Sequence, residues 1–325
     1  MKILKIKTIK TVFLFASLNL RRILAALLYT HMKLQLLKST IFDSIPSGSG
    51  IEKWQDKIYI IGDDSNFLYE LNNDWEITNS IRLFDRPTDD HQRISKLIKP
   101  DLEAVTLVPP SHLLAMGSGT LPELRDVGVL LNLAAQDELE YLNFNEIYET
   151  LRSITSQVNI EGACNVDDKI ILLNRGDNLH SNQLIITNWN RKQLTVERHM
   201  DIHFLDLPQI ENINTGFTGC VHLPETDLMI FCASAEDTTN GYDDGMIKGS
   251  LLGVMQNFTS QLAHRDVKIS DIVIPDFFKG KKVESVCIDE FIGPNEVTIL
   301  AVADSDNGKT ELMRLYMSFS DAFLH

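Results

Sequence analysis

The sequence is poor in cysteine, in basic residues relative to acidic ones, and in long apolar runs. Only four of its 325 residues are cysteine, and none forms a C-x-x-C pair, so neither a disulfide scaffold nor a dithiol redox motif is expected. Lys and Arg total 30 against 45 Asp and Glu, and the net charge of -15 argues against nucleic-acid binding. The G-x-S-x-G elbow, the Walker loop and the dinucleotide fingerprint are also missing.

The N-terminal apolar stretches are too short to span a bilayer. A lysine-rich start precedes Thr11–Leu20, and Arg21 with Arg22 interrupts the apolar run. We interpret residues 1–31 as an extension, either translation upstream of an initiator at Met32 or a signal or anchor segment. Residues 32–325 form one predicted domain. If Met32 is the start, we expect a soluble cytoplasmic protein without membrane contact; otherwise it is exported or anchored.

From residue 34 onward the apolar residues are spaced as in β-strands. Short runs of Val, Ile, Leu, Phe and Tyr alternate with Gly, Asp, Asn and Ser turns about every 8–12 residues, which predicts an all-β fold. Asn145–Thr155 has helical spacing instead, with Ile147, Leu151 and Ile154 on one face. Residues 85–100 are polar and predict a surface loop with a helical turn.

One strand–turn–strand plan occurs five times along the chain. Comparable polar positions in the five segments lie 51, 58, 57 and 66 residues apart. These marker positions are Glu52, Glu103, Glu161, Thr218 and Glu284. Repeats of this length with about four short strands each are typical of propeller blades, so the sequence predicts a five-bladed β-propeller rather than a β-sandwich.

The two ends of the domain are predicted to close the ring of blades together. The fifth segment has three strands, near Val283–Ile288, Val297–Ala303 and Glu311–Met317. Its missing outer strand can be supplied by Leu34–Phe42, at about residues 34–42, which precedes the first blade. This closure removes a free sheet edge. We expect a monomer.

The first strand of each blade lines the central channel, so equivalent polar residues should form a ring. Several carboxylates around one axis repel each other unless they are protonated or a cation lies among them. Carboxylate and hydroxyl oxygens without histidine favour Ca²⁺ over Zn²⁺, and a water-filled channel is the alternative. The candidate calcium ligands are Ser49, Asp101 or Glu103, Glu161, Thr218 and Glu284.

The turns after the second strands are predicted to meet at one mouth of the channel. They are rich in Asp, Asn and Ser, as surface turns generally are, and Arg175 is their conspicuous base. Arginine suits bidentate binding of phosphate or carboxylate, and a nearby metal would help to hold such an anion. We therefore take Asp63, Arg175 and Glu236 as candidate catalytic residues, with a small anionic ligand or substrate at the mouth.

These segments resemble the five-bladed, calcium-dependent apyrases, which are soluble nucleotidases. Lys57-Ile58-Tyr59 with the Asp63-Asp64 turn is similar to the family's K-L-Y-x-x-D-D, and Glu161-Gly162-Ala163-Cys164 to its E-S-A-C. Gly216-Phe217-Thr218-Gly219 is similar to its G-F-S-S. The resemblance implies a central calcium held by the ring residues. More loosely, the blade openings resemble those of phytase-like and SdiA-regulated propellers.

Three residues at the mouth depart from the apyrase pattern. Thr120 and Ala233 stand where the family has lysine, and Ser65 stands where it has arginine. Because a nucleotidase must neutralise two or three phosphates, these departures argue against di- and triphosphate hydrolysis.

Two function classes stay open. One is a calcium-dependent hydrolase of phosphate esters or anhydrides, with lactone hydrolysis as a variant. The other is a non-enzymatic propeller whose structural metal lies in the channel and which binds a small ligand or a protein. An enzyme needs its metal open to water, whereas a structural ion is sealed off.

Overall fold

Five four-stranded antiparallel sheets make up the protein and confirm the predicted five-bladed propeller. The computed structural model describes residues 32–135, 138–190, 195–238, 245–305 and 308–320. Residues 1–31, interpreted above as an extension, lie outside the described residues. Among those described, no helix has the length and apolarity that a membrane crossing requires.

The strands follow the blades in chain order, and each blade runs from the channel outward. The chain starts with β1 (Met32–Pro46). Blade 1 contains β2 (Gly48–Trp54), β3 (Lys57–Gly62), β4 (Phe67–Leu71) and β5 (Ile77–Arg82). Blade 2 contains β6 (Leu102–Val108), β7 (His112–Gly117), β8 (Val127–Asn132) and β9 (Leu139–Asn143). Blade 3 contains β10 (Ile160–Val166), β11 (Lys169–Asn174), β12 (Asn182–Asn190) and β13 (Thr195–Leu205).

The last two blades complete the ring. Blade 4 contains β14 (Thr215–Leu223), β15 (Leu228–Asp237), β16 (Met246–Gln256) and the short β17 (Asp271–Val273). Blade 5 contains β18 (Lys282–Gly293), β19 (Glu296–Ser305), β20 (Lys309–Phe319) and, as its outer strand, β1. The β1–β20 pairing runs from Met32 opposite Phe319 to Pro46 opposite Lys309. The predicted closure by residues 34–42 is therefore confirmed, and the closing strand is longer than predicted.

The apolar core lies between neighbouring blades. The residues of the second and third strands are mostly buried on both faces of the sheet, as in β11, where Ile170, Ile171, Leu172 and Leu173 show no exposure. Burying one such side chain contributes about 1.5–3 kcal/mol, which is why these strands are continuous apolar runs. All four cysteines are free and buried, as expected for small residues in strands.

Within the described ranges, two helices connect strands at the edges of blades. The first, α1 (Asn145–Ile154), agrees with the predicted helix, and Ile147 and Leu151 are buried. Ile154 is 56% exposed, because the helix turns Tyr148 inward instead and the Tyr148 hydroxyl donates to the Gly117 carbonyl. The second helix, α2 (Phe258–His264), was not predicted, and a 3₁₀ turn follows at Asp276–Phe278.

Candidate functional site

Each of the five inner strands contains a β-bulge at the same place. The bulges fall in the register gaps Gly48/Gly50, Leu102/Ala104, Ile160/Gly162, Phe217/Gly219 and Val283/Ser285. A bulge adds one residue to a strand and redirects its side chain. The bulged residues are Ser49, Glu103, Glu161, Thr218 and Glu284, which we call the ring residues. Glu103, rather than Asp101, therefore holds the ring position in blade 2, and Ser49, rather than Glu52, holds it in blade 1.

A small residue follows every ring residue. These residues are Gly50, Ala104, Gly162, Gly219 and Ser285. A Cβ at Gly219 would lie 2.7 Å from both the Glu284 carbonyl oxygen and the Ser285 Cα, and a Cβ at Gly162 would lie 3.0 Å from the Gly219 Cα. At Gly162 and Gly219 the inner strands thus approach each other so closely that a larger residue would displace backbone.

The two ring hydroxyls hold the neighbouring blades together. The Ser49 Oγ donates to the Leu102 carbonyl at 2.6 Å, and the Thr218 Oγ1 donates to the Val283 carbonyl at 2.6 Å. Each acceptor is the carbonyl immediately before the next ring glutamate. Because the Ser49 and Thr218 hydroxyl protons are donated to these carbonyls, the hydroxyl oxygens keep lone pairs that can face a cation.

The three ring carboxylates differ in the hydrogen bonds and ion pairs that they make. Glu161 accepts hydrogen bonds from the Asn159 Nδ2 at 2.8 Å and from Arg175 at 3.5 Å. The Glu284 Oε1 lies 3.1 Å from the Lys282 ammonium, whereas its Oε2 is buried and has no hydrogen-bond partner within the described residues. Glu103 makes no hydrogen bond or ion pair there. Two ring carboxylates therefore retain coordinating oxygens.

Burial and mutual repulsion disfavour the charged forms of these two groups. Burial, and then the charges of Asp101, Asp63 and Glu161, raise the pKa of Glu103 well above its usual range. Burial raises the pKa of Glu284 to about 8, against the opposing effect of Lys282. A bound cation would favour ionisation of both carboxyls.

A cavity of about 710 Å³ opens directly above the ring. It reaches the ring residues Ser49, Glu103 and Glu284, so this part of the ring is not sealed from the surface. Seven carboxylates and four bases line it, an excess of three acidic groups. The bases are Arg93, Lys96, Lys99 and Lys282, and the acids are Asp63, Asp64, Asp89, Glu103, Glu236, Glu284 and Asp304. Such a cavity attracts cations first.

One side of the site is a chain of alternating charges across blades 3, 4 and 5. Arg175 lies 3.5 Å from Glu161 and 3.0 Å from Glu236, and Lys282 lies 3.6 Å from Glu236 and 3.1 Å from Glu284. Two predicted ligands and two predicted catalytic residues are thus brought together. Arg175 is 7% exposed and does not line the large cavity, because its guanidinium is used within this network.

The other side is an acidic cluster in blades 1 and 2. Carboxylate oxygens of Asp63, Asp101 and Glu103 lie within 4.8 Å of one another, and in the described part of the chain no such group includes Glu161 or Glu284. The Lys99 ammonium contacts Asp63 and lies 2.6 Å from Asp101. The buried Arg125 also pairs with Asp101 at 2.6 Å. Asp101 is therefore a structural partner of two cations beside the ring.

The polar segment at residues 85–100 forms part of the cavity wall rather than a detached surface loop. It supplies three of the four bases of the cavity. The Arg93 Nε donates to Asp64 at 2.5 Å, and the Ile94 N–H donates to the Asp64 carbonyl at 2.7 Å. Arg93 also lies against Gly308 of blade 5, where a Cβ would come within 2.6 Å of its Nη1. The sequence did not indicate this role, because the segment has no counterpart in the other repeats.

Glu52 lies away from the ring and lines a smaller cavity of about 250 Å³. It is 7% exposed, and the Leu107 N–H donates to its Oε1 at 3.3 Å. Burial raises the pKa of Glu52 to about 8, although backbone donors oppose the shift. The carboxyl is therefore neutral in the folded protein at pH 7.

Glu52→Gln is expected to stabilise the protein increasingly as the pH rises from 5 to 8. In this window the unfolded wild type loses the Glu52 proton and the folded wild type keeps it, so wild-type stability falls by up to about 1.4 kcal/mol per pH unit through this group. The amide is insensitive to pH and keeps the acceptor for Leu107. Urea unfolding across this range measures the difference, with Glu140→Gln as an exposed control. A constant difference between variant and wild type would contradict the prediction.

Comparison with known proteins places the chain in one family and finds distant structural likenesses. The model of a family described as "Family of unknown function (DUF6929)" matches residues 44–317. No curated protein matches the sequence. Glutaminyl cyclase of Myxococcus xanthus is 9% identical with a TM-score of 0.46, over 89% of this chain and 97% of that one. Virginiamycin B lyase from Staphylococcus aureus is 10% identical with a TM-score of 0.39, over 89% and 100%. Likenesses of this size carry no functional argument, and the apyrase resemblance stays a prediction.

Proposed function

The chain belongs to DUF6929, a family of unknown function, and we propose that it is a calcium-binding propeller whose channel mouth takes a small anionic ligand. The observation that carries this proposal is the set of five matching bulges. They lie at equivalent positions of the five inner strands, and the bulged residues supply two hydroxyls and three carboxylates. Glu103 and the Glu284 Oε2 have no hydrogen-bond donor within the described residues, so both can coordinate.

The donor set suits calcium better than zinc. Only oxygen ligands are present among the ring residues, and no histidine or cysteine lines the cavity in the described part of the chain. Ca²⁺ accepts six to eight oxygens at flexible geometry, with water completing the shell. Acidic groups outnumber bases by three in the cavity, and a divalent cation would offset the charge that Glu103 and Glu284 carry once they ionise.

An anionic ligand fits the mouth once a cation is bound. Arg93, Lys96, Lys99 and Lys282 line the same cavity as the ring, which is open rather than sealed. A bound calcium would supply Lewis-acid polarisation of a phosphoryl oxygen. Asp63 lines the cavity, which makes its carboxylate the candidate to accept a proton from water. Hydrolysis of a phosphate ester is the reaction that this arrangement supports.

The other two catalytic candidates are better suited to positioning. Burial raises the pKa of Glu236, but Lys282 and Arg175 outweigh it, so the pKa lies below the usual range and the group stays charged. Arg175 holds Glu161 and Glu236 in place. These pairings favour the second candidate function, a non-enzymatic propeller with a structural calcium that binds a small ligand or protein.

Calorimetric titration of chelator-treated protein with Ca²⁺ tests the proposal, followed by turnover assays with phosphate esters, nucleoside diphosphates and lactones in calcium or EDTA. Calcium binding with EDTA-sensitive turnover of a phosphate ester is the result expected. Binding without turnover of any of these substrates would assign the second candidate function. Absence of calcium binding would overturn both.

A further inference from the structure

Two lysine ammonium groups lie among the carboxylates at the floor of the cavity. The Lys99 Nζ contacts Asp63 and Asp101, and the Lys282 Nζ lies between Glu236 and Glu284. Both side chains line the cavity, with 11% and 25% of their surface exposed. Both are thus partly reachable from the mouth.

The lysines differ from the buried arginines in their capacity to change partners. Arg175 and Arg125 are 7% and 2% exposed, and each guanidinium bridges fixed partners. An ammonium on a four-carbon stem can instead turn its three donors toward a new acceptor with little rearrangement of backbone. Burial disfavours the charged form of both lysines, but the carboxylates around them outweigh it and raise both pKa values, so both remain cations.

We propose that Lys99 and Lys282 are tethered counter-ions that change partners when calcium binds. The metal binds Glu103 and Glu284, the second of which is a partner of Lys282, and the two ammonium groups then turn donors toward a phosphate-like oxyanion at the cavity floor. This inference rests on the calcium site proposed above. It assigns a phosphate-like oxyanion as the ligand of that site and predicts that the cation and the anion bind cooperatively.

The order of binding follows from charge. Without a cation, both ammonium groups are paired with carboxylates. Even with Glu103 and Glu284 protonated, five acidic groups face four bases in the cavity, which disfavours a dianion. With a divalent cation on Glu103 and Glu284, Lys282 loses Glu284 as a competing acceptor. Lys99 keeps Asp63 and Asp101 and can turn its remaining donor toward the anion that the cation attracts. Because coupling between two sites is reciprocal, phosphate must tighten calcium binding by the same factor by which calcium tightens phosphate binding.

The test measures calcium affinity by titration at micromolar Ca²⁺ with and without inorganic phosphate, at concentrations where no calcium phosphate precipitates. In the wild-type protein, phosphate should tighten calcium binding at least about fivefold. In Lys99→Met and Lys282→Met this effect should fall below about twofold, while calcium affinity without phosphate stays equal or rises, because a competing ammonium is gone. The exposed Lys268→Met is the matched control and should behave as wild type.

Lys282→Arg provides a second variant that keeps the charge, and it should retain part of the phosphate effect. Circular dichroism establishes that each variant is folded before titration. Calcium binding without any phosphate effect in the wild type, or a full phosphate effect in the Lys99→Met/Lys282→Met double variant, would overturn the inference alone. Weaker calcium binding in both methionine variants would also overturn it, because the lysines would then support the site rather than compete with the metal. Failure of the wild type to bind calcium would remove the proposed function as well.

Discussion

Replacing Arg125 with methionine is expected to lower the free energy of unfolding by about 3–5 kcal/mol. Arg125 is 2% exposed, and its Nη1 donates to the Asp101 Oδ2 and the Thr120 Oγ1, each at 2.6 Å. Methionine fills much of the same volume, but it leaves the buried Asp101 with Lys99 as its remaining cation. An incompletely compensated charge in a dry site costs far more than the lost hydrogen bonds.

Urea unfolding measures this cost, and Arg198→Met is the control for removing an arginine. Arg198 pairs with Glu146 at the surface, where both side chains are 66% exposed, so its loss should cost about 0–1 kcal/mol. If Asp101 is a structural partner beside the ring and not a ring ligand, Arg125→Met should keep any calcium-dependent increment of stability. A loss below about 1 kcal/mol would show that Lys99 alone compensates Asp101.

The five-bladed architecture could be predicted because one sequence pattern occurs five times along the chain. Five segments with comparable polar positions 51 to 66 residues apart specify five blades, and a fifth blade one strand short specifies the role of β1. Single elements without a repeat were harder to predict. Helix α2 is seven residues long, too short for periodicity to distinguish it from a strand or loop.

The sequence predicted a ring of polar residues on the inner strands, but in blades 1 and 2 it did not decide which residue of the strand holds the ring position. Spacing alone left Asp101 and Glu103 as alternatives, and gave Glu52 as the blade 1 marker beside Ser49. The difference depends on a bulge, which shifts every later residue by one position and leaves no mark in composition. One signal was present, the small residue directly after each ring residue, and at Gly162 and Gly219 the close approach of the inner strands requires it.

The charge pairing around the ring was not predictable from local sequence. Lys99 and Asp63 are 36 residues apart, and Arg175 and Glu236 are 61 apart, so only the fold brings them together. Arg175 was expected to face a ligand, and in the structure it faces two glutamates. The bases that do line the cavity come mainly from the segment at residues 85–100, whose polar composition is equally typical of a solvated loop.

Glu284→Gln is expected to abolish the calcium-dependent part of the stability. If the wild type binds calcium, a concentration of 100 times the dissociation constant adds about 2.7 kcal/mol to the free energy of unfolding. The amide keeps the shape of Glu284 and one oxygen, but it removes the charge of the ring carboxylate whose Oε2 has no described partner. In EDTA the variant should be at least as stable as wild type, because burial and then the charge of Glu161 disfavour an ionised Glu284, and Lys282 keeps Glu236.

Thermal unfolding in calcium and in EDTA measures both halves of this prediction. Glu290→Gln is the matched control, since Glu290 is an exposed residue of the same strand β18, and it should keep the full calcium increment. Glu161→Gln should also lose the increment, but it should fold less well in EDTA, because the buried Arg175 then loses its ion pair with Glu161. This contrast separates a ring carboxylate that is available to a cation from one already engaged by the protein. A Glu284→Gln protein with the full calcium increment would show that the matching bulges place Glu284 at the channel for a reason other than metal binding.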